Sequence, residues 1–283
     1  MKSKSETAGR IVQAHTEINA APEHVWKALT DAAEITRWFA THATIEPRAG
    51  GEWSLDWYGD FPWNSRIEIF EPNQHLRIVM NQAPHAAEDS GSTESAQAVS
   101  VVVDYFLESQ GGRTTLRIVH SGFGAGADWD EEYEGVRTGW EFEIQVLRHY
   151  IENHRGRPRH MFWLRAAVDS SHQAAWNQLI TLFPGLAHKQ YRPGERITLE
   201  TTLGHRITGR VITHEVPRAF GLVADDSSIF RLAVDKCGGH LEAGIWVESW
   251  GNTATEVETQ KRRWSAALRQ AFPQADLKGA AAA

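Results

Sequence analysis

One long amphipathic segment constrains the fold more than any other feature of the sequence. From Asp128 to about Asn153 large apolar side chains recur every three or four residues, so they fall within one stripe at 100° per residue. The spacing predicts a helix about 39 Å long at 1.5 Å per residue, and Gly156 and Pro158 follow as stop signals. Such a helix must bury its stripe against another layer. The stripe consists of Trp129, Tyr133, Val136, Trp140, Ile144, Leu147 and Ile151.

The sequence before this helix is typical of an antiparallel sheet. Residues 10–20 are rich in β-branched residues, and residues 22–39 contain two short helical patterns, the first of which opens on Pro22. Between 41 and 120, strand-like runs alternate with turn signals, and residues 84–98 are predicted to form an inserted loop. We therefore predict an α+β fold in which a curved antiparallel sheet wraps around the long C-terminal helix. The turn signals are Gly50-Gly51, Gly59-Asp60, Glu71-Pro72-Asn73 and Gly111-Gly112.

After Pro158 the same order of elements starts again, which indicates two tandem copies. Trp26 corresponds to Trp176 at an offset of 150 residues, and Trp140 corresponds to Trp264 at an offset of 124. The smaller offset at the end fits a second copy that lacks most of the loop at 84–98. Between these positions, Gly51-Glu52 corresponds to Gly194-Glu195 at an offset of 143, and Arg66-Ile67 corresponds to Arg210-Val211 at 144.

These correspondences predict a first domain over residues 1–157, a second, divergent domain over 158–275 and a disordered tail over 276–283. The second long helix, about Thr255 to Phe272, is predicted to begin with a capping box at Thr255 and Glu258. Chance similarity inside one large sheet domain is the alternative.

Charge and composition exclude several functional classes. The sequence has 29 Lys and Arg against 36 Asp and Glu, a net charge of −7, and the bases are spread along the chain. Nucleic-acid binding and a polybasic membrane contact therefore lack their driving force. No apolar run resembles a signal peptide or a membrane span, and the single cysteine, Cys237, fits a reducing compartment. We expect a cytoplasmic protein, whose oligomeric state the sequence leaves open.

No motif predicts a cofactor, a metal site or a catalytic residue. Gly122-x-Gly124-x-x-Ala127 matches the dinucleotide fingerprint formally, but a helix follows it where a second strand should stand, so an entrance loop is the preferred interpretation. The 14 His lack the spacing of metal ligands, and Cys237 with His240 lacks a third partner.

The 12 Trp residues carry the main functional hypothesis. Those of the early sheet and the long helix are placed to face one cavity, although packing in the core is the alternative for each. His120, with a carboxylate nearby, has the chemistry of a general acid or base near neutral pH, although a boundary hydrogen bond is the simpler role. The candidate ligand-binding residues are Trp53, Trp57, Trp63, Arg66, His120, Trp129, Tyr133, Trp140 and Glu143.

A family resemblance covers residues 10–155. This half resembles the SRPBCC superfamily of START and birch-pollen-allergen-like helix-grip proteins, and within it the homologues of the activator of the heat-shock-protein-90 ATPase. The second half resembles the fold faintly and lacks the Gly-Gly pair, so a degenerate cavity is expected there. The resemblance rests on INAAPEHVWKALTD (18–31), ITRWF (35–39), PRAGGEW (47–53), IFEP (69–72) and LRIVHSGF (116–123), continuing into Gly139-Trp140.

The resemblance implies a cavity between helix and sheet that binds a small apolar or aromatic molecule. We therefore expect the first domain to bind such a molecule in its Trp-lined cavity. A co-chaperone-like module with a protein partner and a cyclase-like or hydrolytic enzyme acting in the same cavity are the two alternatives.

Overall fold

The computed structural model describes residues 10–82, 99–124, 129–187, 189–237 and 240–279. The chain divides into two compact units, Met1–Gly156 and Arg157–Ala283. The loop predicted at 84–98 and residues 125–128 of the predicted entrance loop lie outside the described residues. None of the helices that the structure describes combines the length and the apolar character that a membrane span requires.

The first unit is a seven-stranded antiparallel sheet with one long helix. The strands lie in the order β1-β7-β6-β5-β4-β3-β2, so the first and last strands of the unit are neighbours. Aromatic contacts of the long helix with β6 and β7 place it on the inner face of the sheet. The elements are β1 (Arg10–Ile18), α1 (Pro22–Thr30), α2 (Ala32–Ile35), β2 (His42–Ile45), β3 (Glu52–Asp56), β4 (Trp63–Glu71), β5 (His75–Gln82), β6 (Val99–Gln110), β7 (Arg113–Phe123) and α3 (Asp130–Asn153).

Local sequence accounts for the elements that surround the inner face. In β1, every second side chain from Val12 to Ile18 is buried, as expected for a strand with one face in the core. Pro22 occupies the first turn of α1, where its missing N–H costs no hydrogen bond. Near the end of α3, the Tyr150 hydroxyl donates to Glu34 of α2 and accepts from the Gly156 N–H, which fixes the helix against α2.

The second unit repeats this architecture. Its sheet has the order β14-β8-β13-β12-β11-β10-β9, and the long helix again follows the last long strand. The two units are therefore tandem copies of one helix-grip fold. The elements are β8 (His160–Val168), α4 (His172–Ile180), β9 (Arg196–Glu200), β10 (Arg206–Glu215), β11 (Ala219–Ala224), β12 (Ile229–Cys237), β13 (His240–Ser249), α5 (Ala254–Ala271) and β14 (Leu277–Lys278).

A shared turn establishes the register of the repeat. Gly50 and Gly194 both have positive φ, +76° and +86°, and their carbonyls accept hydrogen bonds from Arg66 at 2.8 Å and Arg210 at 3.2 Å, respectively. Both pairs are 144 residues apart. The correspondence of Gly51-Glu52 with Gly194-Glu195 at an offset of 143 is therefore wrong by one residue, because the positive φ belongs to Gly50.

Two predictions for the end of the chain are wrong. The capping box of α5 consists of Thr253 and Glu256. The reason is that the extended backbone of Thr253 comes immediately before the helix, whereas Thr255 is already helical. Residues 277–278 pair with β8, so the described part of the predicted disordered tail includes a strand, and residues 280–283 lie outside the described residues.

Candidate functional site

Aromatic rings form a continuous array between α3 and the sheet of the first unit. The ring of Phe39 lies 5.7 Å from that of Trp140 on α3 and 5.0 Å from that of Trp57, which contacts Trp63 at 5.2 Å. On the other side of Trp140, ring contacts continue to His120 and beyond. We call this set the aromatic array: Phe39, Trp57, Trp63, Tyr105, His120, Phe123, Tyr133 and Trp140.

Three buried indoles among the predicted site residues donate their N–H groups within the protein. Trp57 donates to the Phe39 carbonyl at 3.1 Å, and Trp140 donates to Nδ1 of His120 at 3.0 Å. Trp53 is also buried but donates to the carbonyl of Leu29 in α1 at 3.1 Å, so it packs in the core and not in the array. The structure thus brings together Trp57, Trp63, His120, Tyr133 and Trp140 of the predicted set.

His120 is the polar group of the array. Its side chain lies on β7 and is only 3% exposed, and this burial lowers its pKa to about 4, so the ring is neutral at pH 7. A Trp indole N–H can only donate, so Nδ1 accepts from Trp140 and the neutral ring carries its proton on Nε2. His120 can therefore donate one hydrogen bond inside an aromatic environment.

An acid–base pair at His120 is not formed within the described residues. Among residues 10–82, 99–124 and 129–156, the imidazole of His120 has a hydrogen bond with the Trp140 indole and none with a carboxylate. Glu143 is buried on α3, one turn beyond Trp140.

Partly exposed aromatic side chains lie at both ends of the array. Trp63 and Tyr133 are half-buried, and the guanidinium of Arg10 lies 5.1 Å from the centre of the Tyr133 ring. Arg10 also donates to the Gly124 carbonyl. Trp129, at the start of α3, packs so closely on Gly124 that a Cβ there would clash with its indole. Arg10, Trp129 and Tyr133 form the accessible margin of the array next to β1, whereas Trp63 lies at the other end, on β4.

Arg66 does not join the array. It lies on the exposed face of β4 with Glu68, while Ser65 and Ile67 face the core, and its guanidinium caps the Gly50 carbonyl. A register shift between Ile67 and Ile69 separates this part of the strand from Phe70, which packs on Trp26 of α1. Since Arg210 makes the same contact in the second unit, Arg66 supports a turn that both units share, and its role in ligand binding stays a prediction.

The second unit contains a cavity that the sequence analysis missed. It has a volume of about 620 Å³ and lies between α5 and the strands β10 to β13. The sequence signal for this cavity is a loss of side-chain volume that is visible only in the correct repeat register. An offset of 144 pairs Trp57 and Trp63 with the smaller residues Thr201 and Ile207. The cavity is lined by Gly204, His205, Arg206, Ile207, Thr208, Ala224, Asp225, Asp226, Ser228, Phe230, Val247, Gln260, Arg263 and Trp264.

A separate open groove lies outside the array in the first unit. It has a volume of about 610 Å³ and runs between α1, β2 and β4. Trp26, Ile45 and Phe70 line it, none of which is a predicted site residue.

One family model matches most of the first unit. Residues 19–152 match the family model described as "Activator of Hsp90 ATPase homolog 1-like protein". The match runs from the end of β1 to the end of α3, so it includes every predicted site residue of the first unit. No curated protein matches the chain.

Several solved structures are similar to one unit or to both. Protein MLL2253 from Mesorhizobium loti is 24% identical over 51% of this chain and 98% of its own, with a TM-score of 0.43. The Aha1 dimer from Colwellia psychrerythraea is 18% identical over 52% of this chain and 99% of its own, with a TM-score of 0.41. The di-domain ARO/CYC BexL from the BE-7585A biosynthetic pathway is 13% identical over 93% of this chain and 96% of its own, with a TM-score of 0.41.

Proposed function

Because residues 19–152 match the family model of activator of Hsp90 ATPase homologue 1-like proteins, we propose that the first unit binds a small aromatic or apolar molecule at the aromatic array. The molecule contacts Tyr133 and Trp129 at the accessible margin next to β1 and approaches Trp140. His120 donates a hydrogen bond from Nε2 to an acceptor oxygen of the molecule. Glu143, buried on the next turn of α3, is the second polar candidate.

The energetics of the array favour an aromatic ligand. A ligand that buries about 200 Å² of apolar surface gains about 5 kcal/mol at 25 cal/mol per Å². One well-placed contact between a ring of the ligand and an aromatic ring at the margin adds about 1 kcal/mol. Since association costs at least about 4 kcal/mol, apolar contact alone supports weak binding, and the single polar contact decides which molecules bind well.

The observation that carries the proposal is the protonation of His120. Trp140 occupies Nδ1, and burial keeps the ring neutral, so Nε2–H is a donor with a fixed position. Donors of this kind, in an otherwise apolar site, are the usual means by which a small-molecule pocket orients its ligand. A ketone or hydroxyl oxygen is the matching group.

A pair of isosteric probes tests the proposal. 2-Acetonaphthone carries a carbonyl acceptor, and 2-ethylnaphthalene has nearly the same shape without it. One hydrogen bond of about 1 kcal/mol predicts a roughly fivefold tighter dissociation constant for the ketone, measured by calorimetry. His120→Phe should bind both probes alike, whereas His15→Phe, a histidine on the exposed face of β1, should keep the preference.

Two outcomes would contradict the proposal. Equal affinity of the unchanged protein for both probes would remove His120 from ligand recognition. Absence of binding by either probe would favour a protein-interaction module, which needs no small aromatic ligand.

A further inference from the structure

The cavity of the second unit lies in a region where the first unit has two additional indoles. In the register established by Gly50 and Gly194, Thr201 stands where the first unit has Trp57, and Ile207 stands where it has Trp63. Both units have a Trp on the long helix in the same environment. Trp264 stacks on Phe183 at 5.8 Å, and Trp140 stacks on Phe39 at 5.7 Å. Ile207, the smaller residue at the position of Trp63, lines the space of about 620 Å³ together with the retained Trp264.

The inner wall of this cavity is apolar except for one indole N–H. Phe230 and Val247 line it together with Trp264, whose ring lies 5.0 Å from that of Phe230. Val247 pairs with Phe162 in the second sheet, and His120 pairs with Val12 in the first, so Val247 stands at the position of His120. The second unit therefore has a valine where the first unit has the acceptor of the Trp140 indole. Within the part of the second unit that the structure describes, no acceptor bonds the Trp264 N–H.

Among the described residues, the rim of the cavity has two arginines outside an ion pair against one such carboxylate, Asp226. Both oxygens of Asp225 bond to Arg196, at 2.7 and 2.6 Å, and Asp226 accepts from the Ser228 hydroxyl at 2.6 Å. The rim arginines 206 and 263, by contrast, have no ion pair with any residue that the structure describes.

His205 completes the rim without adding charge. Burial, and then the nearby Arg263, lower the pKa of its imidazole, so this ring is neutral at pH 7. Its Nδ1 is buried and has no hydrogen-bond partner within the described residues. The imidazole of His205, whose Nδ1 lacks a partner, thus borders the same opening as the guanidinium groups of Arg206 and Arg263.

We propose that this cavity is a second binding site, independent of the aromatic array, for a small aromatic carboxylate. The flat apolar body packs between Trp264, Phe230 and Val247, and the carboxylate lies at the rim against Arg206 and Arg263. A cavity of this size lies within the range of small-molecule sites. Guanidinium groups suit the carboxylate because they donate two hydrogen bonds in its plane.

The test uses 2-naphthoate as the probe with the full-length protein. Its dissociation constant is measured by calorimetry, and its location is found from the ¹⁵N–¹H signals of the Trp indoles. The double variant R206Q/R263Q should bind about tenfold more weakly or worse, since it loses the charge-assisted hydrogen bonds. The matched control is R262Q, which removes an exposed arginine of the same helix that does not line the cavity.

A second variant tests the cavity without altering its charge. Ile207→Trp restores the side chain that the first unit has at Trp63, and it should weaken 2-naphthoate binding at least tenfold. In the unchanged protein the Trp264 indole signal should shift on titration while that of Trp140 stays in place. Equal affinity of R206Q/R263Q and R262Q, a shift of Trp140 in place of Trp264, or no binding of 2-naphthoate would each overturn the proposal.

Discussion

His120 should make the stability of the first unit sensitive to acid. Its pKa is lowered by burial to about 4 in the folded protein, whereas an unfolded histidine has a pKa of about 6.5. Below pH 6.5 the unfolded chain therefore binds a proton that the folded unit does not. Folding stability is unaffected by this group above pH 6.5, falls as the pH drops from 6.5 to 4, and is constant again below pH 4.

The magnitude follows from the size of the pKa difference. The full shift corresponds to about 3 kcal/mol, and about 2.5 kcal/mol of this is lost between pH 7.5 and pH 4.5. Most small domains have 5–15 kcal/mol of stability, so roughly a quarter of the total depends on one buried ring. His120→Gln removes the titration, and its amide oxygen can still accept from the Trp140 indole.

The assay must distinguish the two units. Urea unfolding followed by pulsed hydrogen exchange and mass spectrometry reports on peptides of β7 and α3 separately from those of the second unit. The loss of stability from pH 7.5 to pH 4.5 should be about 2.5 kcal/mol smaller in His120→Gln than in the unchanged protein. The exposed control His15→Gln should behave as the unchanged protein does. Equal losses in His120→Gln and His15→Gln would refute a buried, neutral His120.

Two further substitutions test the fold around the sites. Thr253→Ala should destabilise the second unit by about 1 kcal/mol through loss of the α5 capping box, while Thr255→Ala should be nearly neutral in urea unfolding. Gly122→Ala should destabilise the first unit by at least about 2 kcal/mol, because Gly122 has a φ of +104° and a Cβ would clash with the Ser100 carbonyl. Gly135→Ala, inside α3 with open space around it, should instead stabilise by up to about 1 kcal/mol. An unchanged free energy of unfolding in Gly122→Ala would contradict the described backbone conformation and close packing of β7 at Gly122.

The sequence predicts those features that depend on local periodicity. The stripe of α3, the first turn of α1 at Pro22 and the second copy of the fold all follow from spacing within a few residues or from repetition. Trp26 and Trp176 illustrate this, since each is the fifth residue of its helix and each is buried.

Features that depend on tertiary contact could not be predicted in this way. The exposed position of Arg66 depends on a register shift between Ile67 and Ile69. Because of this shift, Arg66 and Phe70 do not share a face of β4. The indole of Trp53 was a candidate for ligand contact, but a carbonyl in α1, distant in sequence, is its partner. The cavity of the second unit is lined by Ile207 at the position of Trp63, and this difference in side-chain volume becomes informative only in the correct register.

The most direct test of the proposed function is to locate a bound aromatic ligand. Intermolecular nuclear Overhauser effects should connect the ring protons of 2-acetonaphthone with the indole protons of Trp129 and Trp140 and with the ring of Tyr133. The account predicts these contacts together with a downfield shift of the His120 Nε2 proton as it donates to the ketone. Contacts confined to Trp26 and Phe70 of the outer groove, with no change at His120, would contradict it.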